Sequence, residues 1–137
     1  MKTTENNTIF NEFVPYEVAL AMKELGFNEP CFAIYQNGGK ITYAKLKSYD
    51  IGCFAVDKLG VCNSPLYQQA FKWFREKYHI ISYPIFKGGK TIKTSWYDYI
   101  IYSEINWENN NPNQQWKTYE EAELACLNKL IEIIKTK

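Results

Sequence analysis

Histidine is almost missing from this chain: His79 is the only one among 137 residues. Imidazole-based catalysis therefore has a single possible base, and an imidazole-based metal site a single possible ligand. The four cysteines, Cys31, Cys53, Cys62 and Cys126, include no C-x-x-C pair, the short spacing that structural zinc sites use. Only the fold could gather Cys53, Cys62 and His79, and the expectation is no metal, no cofactor and no enzyme. Long apolar runs are missing too. Nothing approaches the ~18 residues of a membrane helix, and the polar opening MKTTENNT lacks the apolar core of a signal peptide. The expected location is the cytoplasm, with reduced thiols and no membrane partner. Charge has no dominant sign, with 16 Lys+Arg against 15 Asp+Glu. That balance disfavours a nucleic-acid backbone as partner without excluding a local basic patch. Neither Gly-Gly-Lys stretch, at 38–40 or 88–90, opens a helix or has Walker spacing, so neither is a phosphate loop.

Aromatics are plentiful. They make up 17% of the chain, with 11 Tyr and 4 Trp, and such rings serve both cores and interfaces. Their arrangement, taken along the chain, predicts a single α+β domain over residues 9–137 behind a flexible 1–8. The expected order is α-β-β-α-β-β-α, a mainly antiparallel sheet packed by helices. A first helix runs from Phe13-Val14-Pro15 to Leu25, with Gly26 as its C′ stop. CFAIYQ and ITYAKLK flank Asn37-Gly38-Gly39-Lys40 and form the strongest hairpin signal. Ser48 to Asn63 reads as a structured connection with a short strand at Cys53 to Val56. SPLYQQAFKWFREKY, 64–78, is the clearest helix, with Ser64 as N-cap and Pro65 at N1. At ~100° per residue its aromatic residues share one arc with Leu66 and Ala70.

A second hairpin follows, HIISYPIF and TIKTSWYDYIIY around Lys87 to Lys90. Pro84 places its first arm at a sheet edge or a bulge. The return arm, Thr91 to Tyr102, is apolar on both faces, which makes it central or lends one face to a partner. Trp96, Ile100 and Tyr102 point one way with Asp98, and Tyr97, Tyr99 and Ile101 the other. Asn106 to Trp116 reads as a polar loop bracketed by two tryptophans. Thr118 and Glu121 make a capping box for the last helix. That helix carries an apolar arc wide enough to suggest a homodimer, or higher homo-oligomer.

Three stretches carry a resemblance. SPLYQQAFKWFREKY, KTYEEAELACLNKLIEIIK and the opening FVPYEVALAMKELGFNEPCFA resemble small uncharacterised proteins of phages and prophages of gut bacteria. T-x-x-E-A-x-x-A-C, Thr118 to Cys126, is more loosely similar to the phage ABA-sandwich domain. The resemblance implies a phage-type accessory role and supplies no catalytic residue. The expected function is a binding module engaging a host or phage protein, or a small molecule, through Trp96, Tyr97, Tyr99, Trp107 and Trp116, with Lys90 and Lys93 nearby. A single-stranded nucleic-acid binder is the alternative, because aromatics and lysines together stack and track single strands. A small Cys/His enzyme stands behind both.

Overall fold

The computed structural model describes residues 12–36, 38–43, 61–103, 107–109 and 115–137. The class is α+β as expected, with three α-helices and two antiparallel three-stranded sheets among the described residues. The chain divides into two compact units, Met1–Gln69 and Ala70–Lys137.

The first unit holds helix α1 (Tyr16–Glu24) and strands β1 (Ala33–Gln36), β2 (Lys40–Tyr43) and β3 (Cys62–Ser64), in sheet order β2-β1-β3. Helix α1 ends in a Schellman motif. Gly26, at φ 98, donates its N–H to the Lys23 carbonyl, and Phe27 donates to Met22 at 2.9 Å. Those two bonds satisfy carbonyls that the helix would otherwise leave bare. The first hairpin forms at the expected place, with Gln36 opposite Lys40. Gly39 is required twice over: its φ is 86, and a Cβ there would meet the Tyr16 ring at 3.2 Å. Tyr35 ties β1 to the segment before α1, donating its hydroxyl to the Val14 carbonyl at 2.6 Å while its ring meets Tyr16 edge-on at 5.3 Å.

Ser64 does not cap the central helix. It is the last residue of β3, paired with Ala33, and Leu66 forms a bridge with Phe13. Helix α2 therefore begins only at Tyr67 and runs to Tyr78. A strand won these residues because β1 offers a partner edge, a long-range gain that capping propensity cannot anticipate. The proposed strand at Cys53 to Val56 lies outside the described residues. The N-terminal 1–8 does as well.

The second unit holds the rest of α2, strands β4 (Ile81–Lys87), β5 (Trp96–Tyr102) and β6 (Trp107–Asn109), and helix α3 (Tyr119–Lys135). Sheet order is β4-β5-β6, so the two-faced aromatic strand is central and Pro84 sits on the edge strand. The second hairpin is looser than its Gly-Gly suggests. Lys87 pairs with Trp96, and the residues between them contain a 3-10 turn, Ile92–Thr94. Thr94 closes that turn, its N–H donating to the Thr91 carbonyl at 3.1 Å. The return arm thus starts at Trp96 rather than Thr91. Part of the expected Asn-rich loop is also strand, β6, and Trp116 forms a bridge with Tyr97.

Helix α3 starts where the capping box put it. Thr118 Oγ1 accepts the Glu121 N–H at 3.2 Å, and the Glu121 carboxylate accepts from Lys117, one residue before the cap, at 3.1 Å. Ala122, Cys126, Leu127, Leu130, Ile131 and Ile134 are all buried. Most of the wide apolar arc is thus used within the chain, with Tyr119 left exposed at its start.

Candidate functional site

Alternation along β5 gives its two faces different fates. Helix α3 lies against β4 and β5 and covers the face that carries Tyr99 and Ile101, both buried. Tyr99 packs against Trp116, the rings tilted by 38° with centroids 5.2 Å apart. At the end of this face where α3 begins, the cover runs out. There Phe86 meets Tyr97 at 5.6 Å and 68°, and Tyr97 meets Tyr119 at 6.0 Å and 90°. Edge-to-face rings at these distances attract through their quadrupoles and hold one another rigid. Tyr97 is half-buried between them, while Phe86 is 56% and Tyr119 44% exposed. The result is an aromatic ledge, open to solvent and backed by the Tyr99–Trp116 pair.

Positively charged side chains stand nearby in the chain. Lys90 and Lys93 are exposed on the folded connection between β4 and β5, and Lys117 is exposed next to Trp116. Glu120 and Glu121, in the first turn of α3, are exposed as well. The segments that carry the ledge are therefore of mixed charge.

The opposite face of the same sheet carries Ile81 and Tyr83 from β4, 51% and 42% exposed, beside half-buried Trp96, Ile100 and Tyr102 from β5. Tyr83 is held there by a hydrogen bond with Tyr102, which together with slight burial raises its pKa.

The expected site residues separate accordingly. Tyr97 and Trp116 come together at the ledge, joined by backbone hydrogen bonds of 2.8 and 3.1 Å. Tyr99 is in the core, 6% exposed. Trp96 points to the other face. Trp107 pairs through its backbone with Tyr102. Phe86 and Tyr119 were missed because each sits singly in its own segment; only the register Phe86↔Tyr97 and the start of α3 bring them together.

The chemistry of the remaining candidates is quiet. Cys31, Cys62 and Cys126 are buried thiols outside any disulfide, and Cys53 lies outside the described residues. Among the described residues no group of three or more His, Cys, Asp or Glu is placed to hold a metal ion. None of the described helices is long and apolar enough to cross a membrane. Burial pushes the Cys126 thiol from an ordinary 9.0 up to about 12. Burial raises Cys62 too, with Lys23 working against the rise. A thiol kept protonated by folding contributes stability that is fully present below pH 9 and is lost as pH climbs through 12. Cys126 should therefore cost the fold up to about 1.4 kcal/mol per pH unit in that window. Denaturant midpoints measured from about pH 8 to 10.5 should fall in wild type and fall less steeply in Cys126→Ala. Equal slopes in the two proteins would contradict the assignment.

Compared with known proteins, the chain matches no family model, no curated protein and no solved structure.

Proposed function

We propose that the chain is a non-catalytic binding protein that holds a protein partner through the aromatic ledge of Phe86, Tyr97 and Tyr119. The observation that carries the reading is the continuous ring-to-ring contact from Phe86 through Tyr97 to Tyr119, exposed at both ends. Large rings left in water, already fixed by their neighbours, lose little entropy on binding and supply the anchors that dominate interfaces. The raised thiols of Cys62 and Cys126 support a non-catalytic reading, because a neutral thiol is a poor nucleophile. The sequence resemblance alone supports a phage-type accessory role. A homodimer forms no part of this proposal, since most of the α3 arc that helped to suggest it is buried within the chain.

A protein partner is favoured over a single nucleic-acid strand by the mixed charge of the segments that carry the ledge, with exposed Lys90, Lys93 and Lys117 but also exposed Glu120 and Glu121. Capture from producing cells, quantified for wild type, Phe86→Ala and Tyr119→Ala, tests the reading. Each substitution should weaken capture of the same partner at least tenfold, as loss of an anchor ring does. Being exposed, each should move stability by no more than about 0.5 kcal/mol. Capture should also change little between about 50 and 200 mM salt, whereas a nucleic acid would be shed steeply. Undiminished capture by both variants would refute the ledge as the binding surface.

A further inference from the structure

A cleft of about 420 Å³ opens where α2 ends, lined by Arg75, His79, Ile81, Tyr102 and Ser103. None of these residues belongs to the ledge, and the volume lies within the range of small-molecule sites. Ile81 and Tyr102 are direct register partners on β4 and β5, so their side chains stand together on the sheet face opposite α3 and give the cleft an apolar wall. The Tyr102 ring lies 6.2 Å from that of Tyr83 on this face and is half-buried. Arg75, His79 and Ser103 supply the polar side. Guanidinium and imidazole N–H groups and a serine hydroxyl can all donate, and none of the described lining residues is a carboxylate.

The backbone at His79 adds a second observation. His79 has φ 56, and it is the only described residue other than glycine with a positive φ. At the end of α1 the chain places Gly26 at the same kind of stop, φ 98, which is the usual solution because glycine has no Cβ to clash. Ending α2 with histidine instead gives up that ease and places an imidazole at the rim of the cleft. Such outliers cluster at functional sites.

We propose that this cleft binds an aromatic small molecule carrying an oxyanion, phosphate or carboxylate. The oxyanion accepts hydrogen bonds from Arg75 and His79, a geometry that planar guanidinium favours, and the aromatic body lies on Tyr102 and Ile81. The C-terminal end of α2 is the negative end of its dipole, so a bare anion is poorly held there. The apolar wall is what makes an aryl oxyanion the better ligand.

Ligand-observed NMR and calorimetry on the full chain with phenyl phosphate, benzoate and inorganic phosphate test the assignment. Phenyl phosphate or benzoate should saturate with a Kd on the order of 1 mM, as befits a fragment, and the tighter of the two names the oxyanion. Inorganic phosphate should bind at least tenfold more weakly. Arg75→Ala and His79→Gly should each reduce aryl binding tenfold or more. Glycine suits a positive φ, so His79→Gly should melt no lower than wild type, which separates lost binding from lost folding. Failure of both aryl ligands to saturate, binding of inorganic phosphate as tight as theirs, or variants that bind like wild type would each overturn the proposal. Arg75 and His79 would then serve only to complement the helix end.

Discussion

Phe74→Ala is expected to destabilise the protein by about 3–5 kcal/mol, the range for emptying a buried aromatic site. Phe74 is fully buried. Its ring sits 5.1 Å from Trp73, near-perpendicular, and 5.9 Å from Tyr78. Trp73 and Tyr78 touch each other at 5.5 Å, and the Lys77 ammonium lies 4.8 Å over the Trp73 ring. Removing Phe74 opens a gap beside two large, stiff rings that hold each other in place, and rigid rings cannot collapse into the space. The cost should therefore fall toward the upper half of the range. A thermal melt should drop by roughly 10–20 °C at this chain length. A shift of only a few degrees would mean that α2 does not anchor its surroundings.

Tyr99→Ala should have an effect of similar kind, about 3 kcal/mol or more. Tyr99 is central in the β4-β5-β6 sheet, lies under α3 and packs against Trp116. Its truncation empties the space behind the ledge and frees Trp116. Partner capture should fall with it, but only because the ledge loses its backing. Tyr119→Ala provides the contrast, since it removes an exposed ring from the same cluster at almost no cost in stability. The two melts, read side by side, locate the boundary between core and contact surface on one strand. Tyr99→Ala melting like wild type would place that boundary wrongly.

That boundary was only half legible in the sequence. The alternation of Trp96 to Tyr102 separates two apolar faces correctly, but it does not say which of them α3 will cover. That choice depends on a helix 17 residues further along the chain from Tyr102 to Tyr119, and no local pattern encodes it. Local chemistry was a good guide where local chemistry decides. Gly26 ends α1, Gly38 and Gly39 turn the first hairpin, Pro84 marks an edge strand, and Thr118 caps α3. It failed where a distant edge competes for the same residues. Ser64 is a good cap by type, yet pairing with β1 claims it, and Trp107 to Asn109 reads as loop yet adds to β5. The cleft was legible only as a lone histidine after a helix. Its other walls come from two paired strands, and the left-handed turn that directs His79 has no signature in composition.

The ledge itself is best tested by hydroxyl-radical footprinting of the captured complex, which reads the solvent access of individual rings. Phe86 and Tyr119 should lose at least half of their reactivity on binding, with Tyr97 following, while Tyr99 stays unreactive in both states and Ile81 and Tyr83 stay unchanged. Protection of Ile81 and Tyr83 with Phe86 and Tyr119 still reactive would show that the partner sits on the opposite face of the sheet, and would contradict the account.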